Sequence, residues 1–384
     1  MAASVGLIAQ IIEEKAPRTW AENWDNCGLL VGSFAQPVHK ALLTLDVTPD
    51  VVEEAAEQGV QLIVAHHPLL FKPLKNLRSD NRSALLPLTL FQRGISYYAA
   101  HTNLDQSELS SGWTLARAIG LVHPEILAPA AEKIYKLVIF VPRDDAEGLR
   151  QVLAKAGAGK GFASGEHGDC YEECFFQVDG QGMFRPTAGA EPALGEIGKL
   201  NRVPEVRLEC IVMEKYLSRT LKAMLQAHPY EEPAYDLIAL ENKGRRHGYG
   251  VIGEVAVRGT LSDFWQNFCR ELPGLFHQNY DLSAVRLTGD KNRTVRKVAI
   301  ANGSAGALLA PALAQGADVF VTGDLGYHDI LEALEAGMAV IELGHFLSEI
   351  PMIQNLKAYL EGRQELAGLE WVLSQKNRGV WAKM

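Results

Sequence analysis

The stretch Val64-Ala65-His66-His67-Pro68-Leu69-Leu70-Phe71 decides how this chain is organised. The apolar run Leu62 to Ala65 predicts a short buried strand that ends at two adjacent histidines. Pro68 keeps the residue before it extended and ends the run. Because adjacent strand residues point to opposite faces, His66 and His67 would each reach a different metal ion from the frayed end of the strand. The alternative interpretation is one core histidine beside one surface histidine.

Length and composition indicate a globular protein of two or three domains. The 384 residues are 47% hydrophobic and 22% charged, with a net charge of −9. This acidic balance disfavours nucleic acid as the main partner, since nucleic-acid binders usually carry a basic face. No apolar run approaches about 18 residues, so we expect no membrane span.

Two further features favour a cytoplasmic location. The N-terminus lacks the charged start and the cleavage site of a signal peptide. The cysteines form an odd, scattered set that fits a reducing compartment better than a disulfide framework; they are Cys27, Cys170, Cys174, Cys210 and Cys269.

Strands and helices alternate in the first and last parts of the chain, which predicts a largely parallel sheet covered by helices. In the first part, Ala41 to Val47 predicts a strand, and Thr48 and Pro49 are the expected cap and first residue of the next helix. Further strands are expected at 62–65, 95–99, 298–301, 318–322 and 338–343. We therefore expect one α/β body, made of residues 1–130 plus 246–384.

The middle of the chain has a different pattern and predicts an inserted α+β domain over residues 131–245. Its expected strands are 134–141, Cys174–Val178, Gly182–Arg185, 207–213 and 235–240, and its expected helices are 144–156 and 215–227. This order of elements is that of a ferredoxin-like unit.

Polar clusters fall where the predicted strands of the α/β body end, which is the edge where ligands bind in open α/β sheets. The clusters are His66 with His67, His101 with Asp105, Asp324 with His328, and His345 with Glu349. A set of three imidazoles and two carboxylates, drawn from these clusters, would suit Zn²⁺, Fe²⁺ or Mn²⁺ as ligands. Such a set leaves coordination positions open for water or substrate.

Each cluster also has a structural interpretation. The i,i+4 spacing of His345 and Glu349 places both side chains on one helix face, which also describes an ordinary surface pair. Asp105 suits a turn or a helix cap. The loop Asn302 to Gly306 could offer backbone N–H groups to a phosphate or form a tight turn between a strand and a helix.

Taken in order, the motifs resemble those of the NGG-interacting-factor-like family, whose bacterial members are often labelled GTP cyclohydrolase I type 2 homologues. The motifs are Trp24-Asp25-Asn26-x-Gly28-Leu29, Leu45-Asp46-Val47-Thr48, His66-His67-Pro68, His101-Thr102-Asn103-x-Asp105, Thr322-Gly323-Asp324 with His328-Asp329, and Gly344-His345-x-x-x-Glu349. The resemblance covers the whole chain. The insertion is similar to PII and CutA-like domains, and the segment His228 to Asp236 is its most characteristic part.

The resemblance implies a dinuclear centre of two divalent ions, with Zn²⁺ as the first choice and Fe²⁺ or Mn²⁺ as alternatives. The implied ligands, in this numbering, are His66, His67, Asp105, His345 and Glu349, with Glu349 as the bridge. It also implies a ring-shaped homohexamer whose sites face an internal cavity.

The leading hypothesis is a metal-dependent hydrolase of a nucleotide-like or other phosphorylated small molecule, in which a metal-bound water of lowered pKa supplies hydroxide. His328 and His101 are candidates for proton transfer or for orienting ligands, and Asp324 is expected to orient one of them. The family label implies opening of the imidazole ring of GTP with loss of formate.

The alternative is a non-catalytic regulatory or chaperone-like metal-binding protein with an effector site in its insertion. A third hypothesis, DNA binding, would need a positively lined cavity in the assembly.

Overall fold

The computed structural model describes residues 3–78, 80–161, 171–242, 244–283 and 285–380. The chain forms two compact units. The outer unit combines the residues up to Pro129 with those from His247 onward, and the insertion unit is Ala130–Arg246. Each hydrophobic cluster draws its residues from one unit alone, so each unit has a core of its own.

The N-terminal part of the chain supplies seven strands and five helices among the described residues. The strands are β1 (Ala3–Ser4), β2 (Gly28–Val31), β3 (Pro37–Val38), β4 (Lys40–Thr44), β5 (Leu62–Ala65), β6 (Ser96–Ala99) and β7 (Leu121–Ala131). The helices are α1 (Val5–Lys15), α2 (Pro49–Glu57), α3 (Arg82–Gln92), α4 (Thr102–Asp105) and α5 (Ser111–Ala118).

The insertion unit has the order strand, helix, strand, strand, helix, strand. These elements are β8 (Ile134–Pro142), α6 (Ala146–Lys155), β9 (Phe175–Phe184), β10 (Asn201–Met213), α7 (Glu214–Ala227) and β11 (Tyr235–Leu240). The four strands form an antiparallel sheet in the order β11-β8-β10-β9.

The C-terminal part completes the outer unit. Its strands are β12 (Arg246–Thr260), β13 (Arg286–Thr288), β14 (Thr294–Ile300), β15 (Val319–Thr322), β16 (Ala339–Glu342) and β17 (Glu370–Leu373). Its helices are α8 (Leu261–Glu271), α9 (Leu309–Ala314), α10 (Tyr327–Glu335) and α11 (His345–Glu361).

Two larger sheets carry the outer unit, and each contains strands from both ends of the chain. One has the order β17-β4-β5-β6-β2 and the other β13-β16-β15-β14-β12-β7. Strands β4, β5 and β6 are parallel neighbours, as are β14, β15 and β16, so their carboxyl ends lie at common edges. The predicted alternation of strands and helices is confirmed as a mixed α/β fold.

Local sequence explains where these elements begin. Helix α2 starts as predicted, because Pro49 occupies its first position and the Thr48 hydroxyl accepts the N–H of Val51 at 3.4 Å. Strand β5 consists of four buried apolar residues and ends immediately before His66.

One prediction for the insertion is wrong. The sequence predicted two strands, Cys174–Val178 and Gly182–Arg185, whereas β9 is a single strand over Phe175–Phe184. The predicted break falls at residues 179–181, but Gly180 within it and Gly182 after it both pair with β10 inside the sheet. A Cβ at Gly182 would collide with the carboxylate of Glu205, so this glycine permits a close approach rather than a turn.

Two smaller findings concern expectations drawn from composition. Cys27, Cys174, Cys210 and Cys269 are free thiols, and Cys170 lies outside the described residues. In the part of the chain that the structure describes, no helix is both long and apolar enough to cross a membrane.

Candidate metal centre

The two histidines after β5 are fixed through their Nδ1 atoms. His66 is fully buried, and its Nδ1 lies 2.8 Å from the carbonyl oxygen of Ala100. The Nδ1 of His67 lies 2.8 Å from Oδ1 of Asp46. A neutral imidazole that donates from Nδ1 keeps a lone pair on Nε2, which is the form that binds metals. Both rings are therefore oriented as ligands.

His101 and Asp105 lie at the two ends of α4, beyond the end of the neighbouring strand β6. The Nδ1 of His101 is 2.9 Å from Oδ1 of Asp25, whose side chain is fully buried. Oδ1 of Asp105 accepts the side-chain amide of Asn302 at 2.7 Å and lies 3.6 Å from Nε2 of His66. This strand end thus contributes a third oriented imidazole and a carboxylate.

The first turn of α11 brings His345 and Glu349 to the same place. The Nδ1 of His345 is 2.8 Å from Oδ2 of Asp324, and its Nε2 is 3.2 Å from Oε1 of Glu349. The other carboxylate oxygen of Glu349 is 3.1 Å from Nε2 of His67, and Oε1 is 3.8 Å from Nε2 of His66. Glu349 therefore lies between His67, which follows strand β5 of one sheet, and His345, which follows strand β16 of the other.

The loop after β14 is shaped around this carboxylate. Gly303 has a φ of +65°, and a Cβ at this position would collide with Oε1 of Glu349. Its N–H donates to the hydroxyl of Ser348 at 2.9 Å. The loop for which phosphate binding and a tight turn were both open thus contacts the ligand helix directly, and the Gly303 N–H is already hydrogen-bonded.

The ligand atoms form two adjoining groups, each within 4.8 Å, that share one residue. One group contains His66, His67 and His101, and the other contains His67, His345 and Glu349. Among the described residues, two buried atoms of this cluster have no hydrogen-bond partner: Nε2 of His66 and Oε2 of Glu349. Oε2 of Glu349 lies 3.1 Å from Nε2 of His67, but this contact is not a hydrogen bond. Unsatisfied buried polar atoms are costly, and divalent cations would satisfy both. The residues fit a metal site.

Electrostatics supports this assignment. Burial lowers the pKa of His66 to about 3, so its ring is neutral at neutral pH. Burial and the nearby charge of Glu349 raise the pKa of Asp105 to about 7. Burial alone would raise the pKa of Glu349, but the neighbouring imidazoles of His345 and His67 outweigh it and hold that pKa well below its ordinary value. Burial would lower the pKa of His67, but its contacts with Asp46 and Glu349 raise that pKa to about 10, and the contact with Glu349 raises the pKa of His345 to about 9. A divalent ion would therefore bind these two rings in exchange for their protons, beside carboxylates of the kind that such ions prefer.

The structure brings together the residues predicted as ligands, and of the two histidines predicted for proton transfer it adds only His101 to them. His101 lies in one of the two ligand groups, whereas His328 is exposed, contacts Tyr327 and belongs to neither group. Asp324 contacts His345 and not His328 or His101, one of which it was expected to orient. The clustered residues are His66, His67, His101, Asp105, His345 and Glu349.

Four further residues were not predicted to support the ligands: Asp25, Asp46, Asn302 and Gly303. Asp25 and Asp46 do occur in the quoted motifs, but the motifs do not show which histidine each aspartate contacts. Each acts on a residue distant in sequence, such as Asp25 on His101, which is 76 positions away.

Comparison with known proteins identifies the family. The family model for Duf34/NIF3 (NGG1p interacting factor 3) matches residues 3–379. The chain belongs to the Duf34/NIF3 family. The family resemblance inferred from the motifs is thereby confirmed.

Two bacterial proteins match along nearly the whole chain. A Halalkalibacterium halodurans protein named GTP cyclohydrolase 1 type 2 homolog is 38% identical over 355 residues, covering 92% of this chain and 91% of the relative. A Bacillus subtilis protein of the same name is 36% identical and covers 89% and 88% of the two chains. The crystal structure of a Bacillus cereus protein related to NIF3 superposes with a TM-score of 0.73 at 34% identity and covers 100% of both chains. The mixed α/β fold with several sheets is therefore that of NIF3-family structures.

Proposed function

We propose that the outer unit holds a dinuclear metal centre and hydrolyses a nucleotide-like or other phosphorylated small molecule, in the manner implied by the name GTP cyclohydrolase 1 type 2 homolog. The observation that carries the proposal is the shared orientation of four histidines, each hydrogen-bonded through Nδ1 around one buried carboxylate. The proposed ligands are His66, His67, Asp105, His345 and Glu349, with His101 added because of its place in the first ligand group.

The two ligand groups give each residue a chemical role. Bound divalent ions, Zn²⁺ first and Fe²⁺ or Mn²⁺ as alternatives, would act as Lewis acids and lower the pKa of water at the site. Glu349 would bridge, since its two oxygens face different histidines. Nε2 of His67 lies in both groups, but its single lone pair would bind one ion. His66 would therefore hold one ion and His67 the other, as expected from the sequence. Asp324, about half exposed, would orient His345.

Metal analysis tests the ligand set. Glu349→Gln and His67→Ala should each lose metal relative to the unaltered protein, measured as equivalents per chain after dialysis against buffered Zn²⁺. Glu361→Gln, in the same helix, and His39→Ala, at an exposed position, are the matched controls and should keep full occupancy. Two equivalents per chain in both ligand variants would refute the assignment.

Turnover is tested separately. Protein loaded with Zn²⁺, Mn²⁺ or Fe²⁺ is incubated with GTP, and formate release is measured beside a panel of nucleotides and phosphoesters. The hydrolase proposal expects metal-dependent turnover that Glu349→Gln abolishes. Absence of turnover with every metal, when both proposed metal positions are occupied, would refute the hydrolase proposal.

A second candidate function is effector binding in the insertion unit by a regulatory or chaperone-like protein without turnover. The strand and helix order, with sheet order β11-β8-β10-β9, supports assigning this unit to the ferredoxin-like, PII/CutA-like class. A cleft of about 620 Å³ lies within the unit, and Phe140, Phe184, Glu205 and Tyr230 are among its lining residues. The Tyr230 hydroxyl donates to Glu205 at 2.8 Å at this cleft.

The cleft is tested by ligand-induced stabilisation. A panel of nucleotides, amines and carboxylic acids is screened for a rise in Tm, and any active compound is repeated with Tyr230→Ala. Loss of the shift in the variant supports the effector site. A shift that survives in Tyr230→Ala but disappears in Glu349→Gln would move the binding to the metal centre. The homohexamer remains a proposal, to be measured as native mass.

A further inference from the structure

Two large aromatic side chains lie exposed beside the metal-binding residues. Trp24 is 58% exposed and Phe71 is 49% exposed. Their ring centroids are 5.6 Å apart, and the planes are inclined by 38°. The ring of His101 lies edge-on to both, at 6.1 Å from Trp24 and 6.3 Å from Phe71. An exposed apolar pair next to a polar cluster indicates a contact with a ligand, because such surface is unfavourable in water.

The residues beside Trp24 are fixed by the same elements that carry the ligands. Asp25 accepts from the backbone N–H of Thr102 at 3.1 Å and contacts His101 at 2.9 Å. Asn26 donates through its side-chain amide to the carbonyl oxygen of Leu70 at 2.5 Å. The loop that carries Trp24 is therefore tied to α4 and to the loop that carries Phe71.

The loop of Phe71 is anchored in turn to the sheet. The N–H of Leu69 donates to the hydroxyl of Tyr97 at 3.0 Å, and that hydroxyl donates to the carbonyl of His67. Tyr97 is fully buried in β6. The two rings are thus exposed while their neighbours in sequence are held, so the pair keeps a fixed place relative to the ligand histidines.

We propose that Trp24 and Phe71 form a platform that binds the planar heteroaromatic base of the substrate and directs the rest of that molecule toward His101 and the metal-binding residues. The choice of a substrate rests on the proposed function, but base binding itself does not require turnover. The two rings already contact each other, so the base packs on an open face of the pair and not between them. Every nucleobase offers a π-face to such a surface, whereas a sugar phosphate offers none.

The experiment compares two probes that differ only by the base. Binding of GMP and of ribose 5-phosphate is measured calorimetrically on the full-length, Zn²⁺-loaded protein, with metal content determined for each sample. Since a stacked base is worth roughly fivefold or more in affinity, we expect GMP to bind about tenfold more tightly than ribose 5-phosphate. The Trp24→Ala/Phe71→Ala variant should lose most of this preference while keeping its metal. Trp24→Phe should retain most of it.

The matched control is Phe91→Ala, which removes an aromatic ring of α3 that is 70% exposed, and it should leave the GMP preference unchanged. A wild-type protein that binds GMP no better than ribose 5-phosphate, or not measurably, overturns the platform. So does a preference that survives in the double variant. A changed native mass of that variant with an unchanged preference would assign the rings to a subunit contact instead. If the preference for GMP depends on the two rings but no turnover is found, the platform proposal is supported and only the hydrolase proposal is refuted.

Discussion

At the scale of single residues, the centre depends on hydrogen bonds behind its ligands. The four histidines bond through Nδ1 to one backbone carbonyl and three carboxylates. These contacts fix the orientation of each ring and leave its Nε2 facing the cluster. The three carboxylates differ in exposure, from the buried Asp25 to Asp324, whose side chain is 51% exposed. Asp324 can therefore be altered with little effect on the core.

Asp324→Asn is expected to weaken metal binding at His345 by about 10- to 100-fold, the usual effect of removing such a partner. The amide keeps the size of the side chain but loses the charge that orients the imidazole. Competition with a fluorescent chelator measures the affinity. Asp50→Asn, at an exposed position in the first turn of α2, is the control. An affinity for Zn²⁺ equal to that of the unaltered protein would show that Asp324 does not support the site.

Gly303→Ala tests the loop that surrounds Glu349. Alanine at φ +65° costs about 1–2 kcal/mol of strain, and its Cβ would also displace Oε1 of Glu349. Gly316→Ala provides a matched control, since Gly316 has a φ of +73° and nothing within 4 Å of an added Cβ. Both variants should lose similar stability in urea denaturation, but only Gly303→Ala should lose metal. Equal metal content in the two would contradict the proposed role of this loop.

At the scale of elements, local sequence predicted the strand before His66 and the first turn of α11. Four buried apolar residues define β5, and the i,i+4 spacing alone places His345 and Glu349 on one face. The partners of these residues could not be predicted in the same way. Asp46 meets His67 across 21 positions and Asp25 meets His101 across 76, so both contacts exist only once the strands have assembled.

Strand β9 shows a second limit of the sequence, which predicted two strands where the structure has one. The sequence predicted a break between Val178 and Gly182, yet Gly180 and Gly182 both pair with β10. The reason lies in the neighbouring strand, because Glu205 occupies the space in which a side chain at 182 would stand. A single sequence contains no sign of such a close approach.

Gly182→Ala should therefore destabilise the insertion unit by about 1–3 kcal/mol, the usual cost of overpacking. Gly180→Ala, on the same face of the same strand, should be neutral or slightly stabilising, because its Cβ would meet only the backbone oxygen of Glu205, at 3.8 Å. Hydrogen exchange of the β9 and β10 amides measures the difference. Similar protection in the two variants would show that Glu205 moves aside without cost.

At the scale of the whole molecule, the outer unit is continuous in space although the chain leaves it once. Strand β17 pairs with β4, and β7 lies in the sheet formed by the C-terminal strands. All six clustered residues belong to this unit, and among the described residues its hydrophobic clusters contain none from the insertion. The described part of residues 130–246 therefore contributes none of the proposed ligands.

Replacing residues 131–245 with a short Gly/Ser linker should consequently leave the metal content per chain unchanged. A short linker suffices because the backbone oxygen of Ala128 lies against Gly248, where a Cβ would collide with it. Metal analysis of the shortened chain is compared with that of the same chain carrying Glu349→Gln, which should lose metal as the full-length variant does. A folded shortened chain that binds no metal would refute a self-contained site. If metal is kept while native mass falls, the insertion serves assembly, and turnover that persists would make it regulatory or architectural.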